Sequence, residues 1–188
     1  MDEDIKLMLD LKAGDKTAFN SLLDKYGKPI INYIYRFTGS KEDAEDLAQD
    51  TFIKVYNAAP NYTASAKFTT WLYRIASNIS IDYLRRRKAS GNPTSLDEEF
   101  ETGDGKFKEQ IADKNISNAL ETAEKAEKDM EIQKVLLSLP ENQRAAIVLK
   151  IYEEKSYAEI AAIIGVSVPS VESLIFRARQ TLKDRIKR

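Results

Sequence analysis

The sequence predicts an all-α protein, two small helical domains joined by a flexible acidic linker, and three observations carry that prediction. Apolar residues recur at helical spacing along most of the chain. Over 91–127 that periodicity fades into a stretch rich in Gly, Ser, Asp and Glu. Beyond it, 156–182 places small, apolar and turn-forming residues at the offsets a helix-turn-helix needs. The boundaries are therefore 1–90 for the first domain, 91–127 for the linker and 128–188 for the second domain.

In the first domain, Ile5, Met8 and Leu9 mark a short helix over 3–13. Phe19, Leu22, Leu23, Tyr26, Ile30, Tyr33, Ile34 and Phe37 mark a longer one over 15–38, capped by Asp15, with a kink expected at Gly27 and Pro29. Ser40 with Asp43 starts a third, running to about Ala59. Its apolar line is Ala44, Leu47, Ala48, Phe52, Val55 and Tyr56, and Glu42, Glu45, Asp46, Gln49, Asp50 and Lys54 lie opposite. That face reads equally as a solvated surface or as a docking face for a basic partner, and its spacing is not that of a calcium loop.

After a polar loop at 61–67 comes a helix over 68–88. Phe68, Trp71, Leu72, Ile75, Ile79 and Tyr83 face inward, while Arg74, Asn78, Arg85, Arg86, Arg87 and Lys88 face outward. Cations beside a polar loop carrying Tyr62 and Lys67 suit single-stranded DNA: phosphates meet the charges and a flat ring meets an exposed base. Phe68 and Trp71 are read as core.

In the second domain, Met130, Ile132, Val135, Leu136 and Leu139 form a stripe over 128–138, ended by Pro140, and 142–154 reads as a further helix. Ser156 with Glu159 is a capping box, so a short helix starts at Tyr157 and ends at Gly165, a residue able to take the left-handed conformation. Ser167 caps the next helix, with Pro169 and Ser170 in its first turn. Val171, Leu174 or Ile175, Ala178 and Leu182 pack down, leaving Glu172, Ser173, Arg177 and Arg179 outward, where a recognition helix meets the major groove.

Composition narrows the function further. With no Cys and no His, the chain lacks disulfides, thiolate nucleophiles, imidazole bases and the usual zinc ligands. No catalytic residue, cofactor or metal site is expected. The net charge of −1 averages opposite segments: residues 61–90 are net +5 and 132–188 net +4, against −3 over 1–60 and −7 over 91–131. No apolar run approaches the ~18 residues of a membrane span, and the acidic start MDEDIKLML is unlike a signal peptide, so a cytoplasmic protein without membrane insertion is expected. A flexible tether over 91–126 spans roughly 30–36 Å, enough to reach two sites on one duplex but unable to fix their separation. A third body must do that.

Three stretches in order carry a family resemblance: DAEDLAQDTFIKVY at 43–56, FTTWLYRIASNISIDYLRRRK at 68–88, and LPENQRAAIVLKIYEEKSYAEIAAIIGVS at 139–167 followed by VESLIFRAR. The chain resembles the extracytoplasmic-function sigma factors, the small initiation subunits of bacterial RNA polymerase. The resemblance implies a sigma region 2 helical bundle in the first domain and a sigma region 4 helix-turn-helix in the second. It implies docking of Asp46, Gln49, Asp50 and Lys54 on the core polymerase clamp, and of the second domain on the flap. It further implies minus-ten recognition and melting by Tyr62, Lys67, Arg74, Asn78, Arg85, Arg86, Arg87 and Lys88, Tyr62 and Asn78 matching positions that contact an extruded base. Ser167, Pro169, Ser170, Glu172, Ser173, Arg177 and Arg179 would read the minus-thirty-five element of promoter DNA, and an anti-sigma factor is the implied inhibitor. Glu172 and Leu174 depart from the pattern, since many members carry a basic residue at the first and often another at the second. A stand-alone helix-turn-helix regulator with an N-terminal sensing or dimerisation domain is the alternative, and a carboxylate-metal hydrolase using residues 42–50 a more distant one.

Overall fold

A computed structural model of the chain describes residues 2–90 and 119–186. The first domain comprises α1 (Glu3–Lys12), α2 (Lys16–Thr38), α3 (Lys41–Ala58), a 3₁₀ turn (Ala59–Asn61) and α4 (Phe68–Ala89). The second comprises α5 (Ala119–Leu137), α6 (Glu141–Ile151), α7 (Tyr157–Ile164) and α8 (Val168–Ile186). No strand occurs among the described residues, and no single helix there is long and apolar enough to cross a membrane.

Short polar side chains set where the first three helices begin. Asp2 accepts from the Asp4 N–H at 3.2 Å, Asp15 from the Thr17 N–H at 2.8 Å, and Ser40 from the Asp43 N–H at 3.2 Å, each satisfying a donor the helix leaves open. Helix α2 is assigned without a break through Gly27 and Pro29. Leu22, Ile30, Tyr33, Ile34 and Phe37 along it are fully buried, and that apolar contact sustains the helix across the bond Pro29 cannot make. Gly39 ends it at φ +71°, in the left-handed region. Phe19 packs edge-on against Phe52 and Tyr56, and Tyr33 against Phe37 and Tyr73, so α2 joins α3 to α4.

Two boundaries differ from expectation. Residues 119–127 belong to α5 rather than to the linker. Their sequence, ALETAEKAE, has strong helix formers but no clear apolar stripe, so propensity is the signal there and periodicity misses it. The rest of the expected linker, 91–118, lies outside the described residues. Helix α6 stops at Ile151, not at Glu154: Glu154 takes φ +50°, and the Lys155 N–H returns to the Leu149 carbonyl at 3.0 Å.

The two domains share one hydrophobic cluster, from Met8 in α1 to Ala178 in α8. Helix α6 lies at its centre, with every residue from Arg144 to Leu149 buried. Arg144 donates through Nη1 to the Phe37 carbonyl, and through Nη2 to the Leu137 carbonyl and, at 3.1 Å, to that of Leu139. One guanidinium thus serves carbonyls near the C-terminal ends of α2 and α5, where the helix dipole favours a cation. Burial lowers its pKa to about 10, so it remains charged at neutral pH. Beside it, Gln133 donates to the Tyr35 carbonyl at 3.1 Å and accepts from Arg36 at 3.2 Å. A Cβ on Gly39 would stand 2.7 Å from Leu137 Cδ1, so glycine permits both the turn and this approach.

Candidate nucleic-acid interface

The helix-turn-helix forms as its residues require. Ser156 Oγ accepts from the Glu159 N–H at 3.3 Å and Glu159 Oε2 accepts from the Ser156 N–H at 3.0 Å, closing the capping box. Gly165 sits at φ +73°, and α7 and α8 meet at 97°. Ser167 Oγ accepts from the Ser170 N–H at 3.4 Å at the start of α8. Val171, Ile175 and Ala178 are buried, while Leu174 is only partly so, and this turns Glu172, Ser173, Arg177 and Arg179 to solvent. Pro169 and Ser170 are exposed in the first turn. Within α8, Ser173 Oγ donates to the Pro169 carbonyl at 3.1 Å and Arg177 Nε to the Ser173 carbonyl at 3.3 Å.

One residue of this face escaped the sequence reading. Phe176 is 63% exposed and forms a single patch with Glu172, Ser173 and Arg177. An aromatic next to Ile175 reads as core by composition, but it lies four residues after Glu172 and shares its side of the helix. Apolar contact with a thymine methyl is the groove chemistry open to such a ring.

In the first domain, Tyr62, Thr63, Ser65, Ala66, Thr70, Trp71 and Arg74 line a cavity of about 130 Å³, with Ala162 of α7 on its rim. Tyr62 is not the exposed ring expected of it, being only 5% exposed. Its ring meets Trp71 edge-on at 5.2 Å, and Lys12 Nζ donates to its carbonyl at 2.9 Å, which draws the residue inward. The Tyr62 hydroxyl is buried without a hydrogen-bond partner, a costly condition in a folded protein. Phe68 is core as expected, whereas Trp71 is half-buried at the cavity.

Arg74, Asn78, Arg85, Arg86 and Lys88 are exposed on α4. Arg87 is drawn inward, to Asp43 of α3 at 3.4 Å and to the Tyr83 hydroxyl at 3.1 Å, so it ties helices together instead of standing with its basic neighbours. Lys67 is exposed but contacts Glu159 at 3.0 Å.

On α3, Asp46, Gln49, Asp50 and Lys54 are all exposed, and Ile53 among them is 56% exposed. Ile53 too was missed, because one apolar residue off the buried stripe leaves no periodic trace. Among the described residues, no group of three or more carboxylates is placed to hold a metal ion.

Two carboxylates that bridge the domains have opposite environments. Hydrogen bonds from the Ser156 N–H and hydroxyl, then from Lys67, hold Glu159 down at about 2. Burial pushes Glu153 up, opposed by the bond it accepts from the Tyr73 hydroxyl. The stabilisation Glu159 gives is complete above its unfolded value of about 4.5 and is lost as pH falls towards 2. Glu153 acts in the opposite sense, favouring the fold at acid pH and losing that as pH rises through its raised value. Acid titration of Glu159→Gln, followed by circular dichroism, is expected to show a shallower loss of helix between pH 4.5 and 2 than the parent; an identical curve would contradict this.

The fold and site define a two-domain helical protein for recognising DNA. Residues 22–90 match the family model for Sigma-70 region 2, and residues 129–182 match that for Sigma-70, region 4. The chain is 35% identical to the RNA polymerase sigma-H factor of Pseudomonas aeruginosa, over 96% of this chain and 92% of that one. It is 34% identical to the ECF RNA polymerase sigma factor SigW of Bacillus subtilis, over 97% and 96%, and 36% identical to the ECF RNA polymerase sigma-E factor of Escherichia coli K12, over 94% and 90%. Among solved structures, CnrH in complex with the cytosolic domain of CnrY is similar at TM-score 0.69 and 27% identity, covering 99% of this chain and 98% of CnrH. The chain belongs to the extracytoplasmic-function sigma factors of RNA polymerase, and it directs promoter-specific initiation of transcription.

Proposed function

We propose that the two domains divide promoter recognition as their surfaces suggest. The exposed face of α3, with Asp46, Gln49, Asp50, Ile53 and Lys54, docks on the core polymerase clamp, and the second domain packs on the flap. The cavity beside Tyr62 receives a base extruded from the minus-ten element, while Lys67, Arg74, Asn78, Arg85, Arg86 and Lys88 run along the strand. Helix α8 reads the minus-thirty-five element with Ser167, Pro169, Ser170, Glu172, Ser173, Phe176, Arg177 and Arg179. Melting costs about 1.4 kcal/mol of stacking per base-pair step, and a cavity that traps one base offsets part of that. The chain serves as an initiation factor, and the polymerase forms the phosphodiester bonds. It acts in the cytoplasm, and an anti-sigma factor is the fitting inhibitor, as CnrH is seen with the cytosolic domain of CnrY.

The unpartnered Tyr62 hydroxyl carries this reading. Tyr62→Phe removes a group that makes no hydrogen bond in the free protein, so the thermal midpoint is expected to stay or rise slightly. With core polymerase, open-complex formation on a cognate promoter is expected to fall about three- to tenfold, one hydrogen bond's worth. Undiminished promoter opening by this variant would remove the base cavity from the mechanism. If the parent chain supports no initiation with core polymerase on any promoter fragment, the whole reading fails.

A further inference from the structure

Helix α1 precedes the stretch matched to region 2, yet both of its ends connect to the cavity assigned to the extruded base. Met8 and Leu11 are buried and seat the helix on the core. At its start, the buried Asp4 accepts from Lys25 Nζ at 2.6 Å and from the Tyr26 hydroxyl. From there a file of rings leads on: Tyr26 meets Phe68 at 5.5 Å, Phe68 meets Trp71 at 6.0 Å, and Trp71 meets Tyr62 at 5.2 Å. At the other end of α1, Lys12 Nζ donates to the Tyr62 carbonyl at 2.9 Å, across 50 residues of sequence. The two routes converge on Tyr62.

Tyr62 stands just past the 3₁₀ turn, in extended backbone at φ −62° and ψ 133°, where no regular element fixes it. Its N–H donates to the Ala59 carbonyl at 3.1 Å and its carbonyl is taken up by Lys12, so both backbone polar groups are held. A fixed backbone leaves the ring only a few staggered directions, and the one it takes lies against Trp71. Burial, then the charges of Asp2 and Asp4, push the pKa of its hydroxyl up, so that group stays protonated and able to donate. A lysine in the last turn of a helix also suits the helix dipole, but that role asks for no particular acceptor.

We infer that Lys12 is a positioning residue for promoter opening: by holding the Tyr62 carbonyl it fixes the aromatic wall of the base cavity, and α1 thereby belongs to the DNA-opening apparatus. The inference rests on the base-cavity reading above. Lys12 itself is exposed, so its bond adds little to stability and acts by keeping the cavity in its receiving shape.

Trp71 is the only tryptophan in the chain and touches the Tyr62 ring, so its fluorescence reports that contact in the free protein. Lys12→Met keeps the apolar stem and removes the donor, whereas Lys12→Arg restores a cationic donor. Lys6→Met is the control, since it removes an exposed charge from the same helix. In the full chain, Lys12→Met is expected to show greater acrylamide quenching of Trp71 than the parent, Lys12→Arg or Lys6→Met, with helicity unchanged.

With core polymerase, on a promoter fragment from which the parent initiates, Lys12→Met is expected to slow the opening step about fivefold, the worth of one solvent-accessible hydrogen bond to a charged group. Initial binding to the closed duplex is expected to stay as in the parent, and Lys12→Arg to recover most of the opening rate. Unchanged quenching in Lys12→Met overturns the hold on the ring. Greater quenching with a parental opening rate overturns its part in promoter opening, as does a Lys12→Arg variant no faster than Lys12→Met. If Tyr62→Phe slows opening and Lys12→Met does not, this inference alone falls; if neither slows it, the base-cavity reading falls first and takes this inference with it.

Discussion

Arg144→Met is expected to lower the free energy of unfolding by roughly 3 kcal/mol or more, the largest loss of any single substitution considered. The residue is 5% exposed, and its guanidinium donates to three backbone carbonyls from two domains. Methionine fills similar space but leaves those oxygens without that donor in a dry environment, and each unpaired group costs about 1–3 kcal/mol. Against this, the charge is already expensive where it stands, since burial lowers its pKa and its Nε has no partner. Removing it recovers part of the loss, but a single Nε cannot offset three carbonyls. Urea unfolding monitored by helicity reads the result directly. A midpoint within a few tenths of a molar of the parent would show that the carbonyls find other donors.

Glu172→Arg is expected to change which minus-thirty-five sequence the chain selects. Glu172 is exposed on α8 beside Ser173, Phe176 and Arg177. A carboxylate repels phosphate but accepts a hydrogen bond from the cytosine amino group, whereas an arginine donates in pairs to guanine. Each good base contact discriminates by about 1–3 kcal/mol, so preference at one base pair is expected to change about five- to hundredfold. Initiation by the reconstituted polymerase from a promoter library randomised at minus-thirty-five measures it. An unchanged preference would place Glu172 outside the groove.

These two predictions differ in how far the sequence alone could reach. The helix-turn-helix was legible in outline, because a capping box, a left-handed glycine and an apolar line through Val171 and Ala178 are local features with fixed offsets, while the choice between Leu174 and Ile175 came from the packing. The exposed acidic face of α3 and the basic face of α4 were legible for the same reason, since helical spacing assigns a side to each residue. Arg87 shows where that ends: spacing puts it with its basic neighbours, and only the packing of α3 against α4 reveals Asp43 beside it. Tyr62 and Phe176 mislead in opposite directions, the first buried where exposure was expected and the second exposed although aromatic. Neither lies in a periodic context that its neighbours could correct.

By itself the sequence determined the all-α class, most of the helices and their caps, and the family, all of which follow from patterns within about one or two helical turns or from aligned motifs. Only the tertiary structure decided that the domains share a core, that Arg144 fastens one to the other, and that Ala162 of α7 joins the lining of the cavity beside Tyr62. The physical reason is range. Capping and amphipathicity act between near neighbours, whereas Lys67 and Glu159 lie 92 residues apart and Arg144 and Phe37 lie 107 apart, so nothing local announces their meeting.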